Sequence, residues 1–232
     1  MDVVIARVRL ANLLNSGDET NVTVTYEGSI ERYEEVFPYV KDSVRPEFTI
    51  IRPDAFSYPI LSPPDLNELL STLPTQRFNY ELQVTVPQGL VAASTGKLLQ
   101  ESIVGDGVKY AYVSRVLTWR IDLIVAKYGV MHDEGLNVRV YHFVEGREGA
   151  SKVLKLMREA MNLYCNLLGE PPQWFGYGVV EVPEGYGSQA SPEGLLITRD
   201  AFTSEEGAHI VLHEVTRLWN IPTVEKPPKT SR

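Results

Sequence analysis

The hydrophobic pattern of this chain changes period once, near Glu145, and that change limits the folds open to it. Upstream the apolar residues come in short runs of period two. Tyr80, Leu82, Val84 and Val86 alternate with polar neighbours and stop at Pro87-Gln88-Gly89. Val22 to Tyr26 is a β-rich run ended by Gly28, and Val108 to Leu117 is another, entered through Gly105-Asp106-Gly107. Leu136, Val138 and Val140 alternate again. Short strands separated by turn residues predict packed antiparallel sheets. Between them, Pro53 to Pro74 reads as a long surface loop with a helical turn or two at Leu66 to Leu73.

Downstream the period lengthens. Val153, Leu156, Met157, Ala160, Tyr164, Leu167 and Leu168 follow helical spacing, Gly169 suits the position after the last turn, and Pro171-Pro172 blocks continuation. Gly178 to Val182 and Gly194 to Thr198 read as two strands. A second helix is expected from Thr203, with Thr203 and Glu206 as a capping box, ending at Pro222 soon after Asn220. The Lys- and Pro-rich tail, Glu225 to Arg232, is expected to be disordered. The fold class is therefore α+β, with domains expected at 1–145 and 146–232.

Composition closes several functional classes. A net charge of -8 over 232 residues argues against nucleic acid and against an anionic membrane surface as partners. No apolar run approaches the ~20 residues that span a bilayer, and no basic-then-apolar leader follows Met1. The single Cys165 excludes an internal disulfide and a cysteine zinc site. The acids Glu31, Glu34 and Glu35 read as a solvated face, and Trp119, Trp174 and Trp219 as packing residues whose indole N–H groups find partners.

The chemistry concentrates in His213-Glu214-Val215-Thr216-Arg217-Leu218-Trp219-Asn220. A zinc-hydrolase helix places two imidazoles four residues apart, so that both share one face and hold one ion. The Glu after the first His then takes a proton from metal-bound water. His213 and Glu214 fit those roles, but the second His position holds Arg217. A guanidinium has only donors and keeps its proton, so it cannot ligate a cation. The bland reading of His213-Glu214 is an ordinary helix pair. His209 and His213 are also four apart, but that register would put Glu214 after the second ligand instead of the first, and a structural role for His209 is the simpler reading. Gly185-Tyr186-Gly187-Ser188-Gln189-Ala190 mimics a dinucleotide fingerprint; Ser191 to Gly194 then reads as a turn where a helix should start, which argues against a nucleotide.

In order along residues 10 to 220, several segments together resemble the M1 family of zinc aminopeptidases, the gluzincins. Val22 to Gly28 looks like the family strand ending in Tyr-x-Gly, and Phe56-Ser57-Tyr58-Pro59 is similar to its Trp-Tyr-Pro segment. Val84-Thr85-Val86-Pro87-Gln88-Gly89 followed by Ala93-Ser94-Thr95-Gly96 resembles Val-Pro-x-Gly and Ser-x-Gly. Val180-Glu181-Val182-Pro183 and the stretch from Gly187 to Leu196 precede the His-Glu helix at family-like spacing. The resemblance implies an antiparallel β-sandwich, incomplete at its start, followed by the first part of a thermolysin-like catalytic domain.

By that resemblance His213 is the first zinc ligand, Glu214 the catalytic base, and Gly187, Ser188, Gln189 and Ala190 the substrate-binding strand. Two positions depart from the family. Ala190 stands where a Glu holds the substrate's free amino group, and Arg217 stands at the second ligand. The third ligand, about eighteen residues further on, falls past Arg232. The implied reaction is zinc-dependent peptide hydrolysis. The expectation for this chain is a metallopeptidase homologue that binds no catalytic zinc and is inactive, with a peptide or protein as ligand and with a longer polypeptide as its natural context. The alternative is a non-catalytic peptide-binding or scaffold module, in which Arg217 pairs with Glu214.

Overall fold

The computed structural model describes residues 6–30, 41–55, 57–61, 77–171 and 176–219. The expectations for Glu31, Glu34, Glu35, Phe56, Leu66 to Leu73, Trp174, Asn220 and the tail lie outside them. The fold is α+β, with sheets that are mostly antiparallel.

Three sheets and one helical layer stack in sequence. Strands β1 (Phe48–Ile51), β3 (Val91–Ser94) and β6 (Leu123–Ala126) form an antiparallel sheet in the order β1-β6-β3. Strands β2 (Glu81–Pro87), β4 (Lys97–Val104) and β5 (Gly107–Val113) form a second, in the order β2-β5-β4. A five-stranded mixed sheet contains β7 (Tyr128–Asp133), β8 (Val138–Phe143), β9 (Tyr177–Val182), β10 (Gln189–Ser191) and β11 (Gly194–Thr198), in the order β10-β11-β9-β8-β7. Its pairs β8–β9 and β9–β11 are parallel. Helices α1 (Arg147–Leu168), α2 (Asp200–Thr203) and α3 (Ala208–Thr216) cover one face of this sheet.

Strand alternation builds the layers. Val138, Val140, Val179, Leu195 and Ile197 point to the helices and pack on Val153, Met157, Val211 and Val215. Tyr141, Val180, Val182 and Leu196, on the opposite face, meet Ile50, Ala93, Ile124 and Ala126 of the first sheet. Ala92 and Val125 turn the other way and meet Tyr80, Val86, Tyr110 and Tyr112. The central strands are buried on both faces, which is why β9 and β11 read as nearly continuous apolar runs. The five-stranded sheet draws strands from both sides of residue 145. The change of period there marks the entry into α1, the crossover between parallel β8 and β9.

Helix α1 buries Ala150, Val153, Leu154, Met157, Ala160 and Met161 along one stripe. It stops at Gly169, whose φ is +79° and whose N–H donates to the Cys165 carbonyl at 2.9 Å.

Three local expectations are corrected. Val22 to Tyr26 is not a strand, and its Val22, Val24 and Tyr26 are exposed. A β-rich run needs a neighbour to take its backbone groups, and no ladder forms with these residues among those described. The run from Val108 ends at Val113, not Leu117. The capping box at Thr203 does not form. Thr203 is the last residue of α2 and its hydroxyl donates to the Arg199 carbonyl, while α3 starts only at Ala208. The break is at Ser204, which is extended (φ -115°, ψ 158°) and whose Oγ accepts the Gly207 N–H at 2.9 Å; Gly207 lies so close to the Asp200 carbonyl that a Cβ there would come within 2.2 Å of it.

Glu181 carries a charge into this interior. It has no exposed surface. Its Oε2 accepts the Phe143 N–H at 2.8 Å, and its Oε1 has no partner among the described residues. Burial pushes its pKa up to about 7, against the opposing pull of the Phe143 N–H and Arg199. A carboxyl raised in the folded state favours folding below its ordinary value, and that advantage is lost as pH rises to about 7. Replacing Glu181 by Gln should therefore gain about 2 kcal/mol on the wild type between pH 5 and pH 8, measured by urea unfolding at both. An equal difference at the two pH values would rule out this titration.

Candidate functional site

The site grows from the inward stripe of α3. Val211, Glu214, Val215 and Leu218 recur at three- and four-residue intervals, and all four are buried. Three of them are apolar and join the helix-side core; the fourth is a carboxylate with 3% of its surface exposed. A buried charge requires a partner. Arg217, one turn on, supplies it: its Nη1 lies 3.3 Å from Glu214 Oε2 and 3.5 Å from Oε1. The His213 ring is exposed at the rim, with Nε2 3.9 Å from Glu214 Oε1.

Glu214 and His213 line a cleft of about 650 Å³. His209 and Ile210 complete the α3 wall. Gly185, Gly187, Ser188 and Thr198 form the opposite wall, and Lys41 closes it from the first part of the chain. The Thr198 N–H donates to Ser188 Oγ at 3.0 Å, and the two hydroxyls lie 3.2 Å apart. His209 Nδ1 faces the Glu206 carbonyl, which can only accept, so that nitrogen carries the hydrogen.

The segment before β11 is held by three arginines from early in the chain. Arg52 and Asp42 are both fully buried; Arg52 Nε donates to Asp42 Oδ1 at 2.8 Å and Nη1 donates to the Tyr186 carbonyl at 3.0 Å. Burial lifts the Asp42 carboxyl to about 6, against the attraction of Arg52. Arg120 is paired with Asp122 and donates to Gln189 Oε1 at 2.6 Å. Arg115 donates to Glu193 Oε1 at 2.9 Å and to the Gly176 carbonyl at 2.7 Å.

The structure thus brings together His213, Glu214, Gly187 and Ser188, and separates the rest of the expected strand from them. Gln189 is drawn to Arg120, and Ala190 packs against the helix-side core. The stretch Gln189 to Thr198 is a hairpin, β10 against β11, and no helix opens after Gly187. Lys41, Thr198, Ile210 and His209 were not expected in the site. Thr198 and His209 were readable as neighbours of predicted elements; Lys41 reaches the cleft only through tertiary folding. A second cavity of about 400 Å³, beside Tyr128, His142 and Arg147, contains none of the expected residues.

A catalytic zinc needs three protein ligands converging on one point. Among the described residues no three His, Cys, Asp or Glu side chains gather in that way. Arg217, one turn after Glu214, is a guanidinium with donors only and cannot ligate a cation. No helix among the described residues is long and apolar enough to cross a membrane. No protein-family model matches this chain, and no curated protein matches it either.

Arg52 provides the test of how the wall is held. Arg52→Met strands Asp42 as a buried unpaired charge and should cost about 3–5 kcal/mol. In urea unfolding the midpoint should fall, and the double variant Arg52→Met/Asp42→Leu should recover most of the loss. A single variant as stable as the wild type would show that the pair does not hold this wall.

Proposed function

We propose that this chain is a homologue of the M1 gluzincin aminopeptidases, built from an antiparallel β-sandwich and the first part of a thermolysin-like domain, whose cleft binds peptides without hydrolysing them. The Glu214–Arg217 ion pair carries this reading. In the related enzymes the Glu acts on a water held by zinc. Here its carboxylate faces a permanent cation standing at the second-ligand position. Arg217 is half exposed and the contact is long, so the pair adds at most about 1 kcal/mol of stability. Its consequence is chemical: it replaces a metal's charge with one that cannot activate water.

Three further observations support the family reading. The His-Glu helix lies against a mixed sheet, the hairpin β10–β11 sits at the edge of that sheet beside the helix, and Gly187 and Ser188 share one cleft with His213 and Glu214. Loss of the amine anchor is consistent with lost aminopeptidase activity, since Ala190 offers a methyl group packed into the core.

The reading makes two measurable claims on the full chain. After dialysis against zinc and then buffer, the protein should retain far less than one zinc per chain. It should also release no amine from aminoacyl-coumarin substrates. One firmly held zinc per chain, or turnover abolished by Glu214→Gln, would overturn it.

A further inference from the structure

The cleft around Glu214 sets one ammonium and two hydroxyls beside its carboxylate and imidazoles. Lys41 brings an ammonium with three N–H groups and no lone pair. It lies 5.8 Å from the centre of the Tyr186 ring and pairs with no carboxylate among the described residues. It lies beside Gly185, whose φ of +81° favours glycine.

The Ser188–Thr198 pair leaves another donor. Ser188 Oγ already accepts the Thr198 N–H, and only one hydroxyl hydrogen can lie between the two oxygens. The other hydroxyl hydrogen is left for an acceptor. Against these donors stands the carboxylate of Glu214, already offset by Arg217. Of the charged side chains that line the cleft, Lys41 is the cation and Glu214 the carboxylate. With Glu214 met by Arg217, the Lys41 ammonium favours an anionic group.

We propose that this cleft recognises a carboxylate of a bound peptide through the Lys41 ammonium and the spare hydroxyl of the Ser188–Thr198 pair. The polarity is opposite to the amino-terminal recognition that M1 kinship implies. The inference rests on the peptide-binding reading and names the group on the peptide that is read.

Three N-acetylated alanine tetrapeptides separate the possibilities: one with a free C-terminal carboxylate, one ending in a carboxamide, and one carboxamide with a single internal Glu. Calorimetry with the full chain should show the free acid binding roughly tenfold or more tighter than the plain amide, the scale of one charge-assisted hydrogen bond. Tight binding of the Glu-containing amide would also support the proposal and make a side-chain carboxylate the source. Lys41→Gln should remove the preference and Lys41→Arg should restore it, each variant first shown to melt cooperatively. Equal affinity for acid and amide, or an unchanged preference in Lys41→Gln, overturns the carboxylate site while peptide binding stands. Failure of all three peptides to bind overturns both, and cleavage of any of them, seen by mass spectrometry, overturns the non-hydrolytic reading alone.

Discussion

The cleft depends on arginines that cross from the early sheets to the late hairpin. Arg52, Arg115 and Arg120 precede the five-stranded sheet in sequence, yet each donates to residues between Gly176 and Glu193. Arg52 and Arg120 are almost wholly buried, and each has a carboxylate that shares its burial, Asp42 and Asp122. Desolvating such pairs costs nearly as much as their attraction returns, so they add little net stability. Geometry is another matter. A planar guanidinium satisfied on one side by a carboxylate has its remaining N–H groups aimed in fixed directions. Those directions set where the Tyr186 carbonyl and Gln189 lie, and hence where Gly187 and Ser188 stand relative to α3.

The same accounting applies inside α3. Its inward stripe takes four positions, and Glu214 takes one of them. A neutral residue there would join the core at no electrostatic cost. Glu214 is buried within the inward stripe and meets Arg217 at the rim, where the guanidinium stays half exposed. The arrangement keeps a negative charge at the base of the cleft and balances it from outside. Lys41 lines the same cleft and pairs with no carboxylate among the described residues.

Elements whose burial follows local periodicity were legible in the sequence. β2, β8, β9, β11 and α1 all fall where alternation or helical spacing placed them, because each buries one or both faces along its whole length. β1, β3, β4, β6 and β7 were missed: β1, β3 and β6 are four-residue strands with too short a pattern to read, and β4 is largely exposed on both faces. Val22 to Tyr26 shows the converse, since residue preference alone does not make a strand without a ladder. The capping box at Thr203 lost out to a neighbour: Ser204 is the extended residue, and its hydroxyl accepts the Gly207 N–H while Thr203 turns back to the Arg199 carbonyl. Of the residues lining the cleft, His213, Glu214, Gly187 and Ser188 were singled out in the sequence by motif resemblance, and the fold brings them to one cleft. Lys41 was not singled out, because nothing in its neighbourhood in sequence distinguishes it from other surface lysines.

Ala190 shows how the two kinds of information combine. The sequence marks it only through a resemblance, as a methyl where the M1 pattern implies an amine-binding carboxylate. The structure gives the departure a physical setting. Neighbouring residues on β10 face opposite sides of the sheet, so Gln189 meets Arg120 while Ala190 turns to the layer of Val211, Val215 and Leu218. A carboxylate at position 190 would enter that apolar layer, and burying it without a partner would cost several kcal/mol. Arg217 is already engaged by Glu214, so no cation on α3 is left to receive it. The small residue at 190 and the guanidinium at 217 are thus two parts of one arrangement, in which the hairpin packs on α3 through apolar contacts and the charges of the cleft come from Lys41, Glu214 and Arg217.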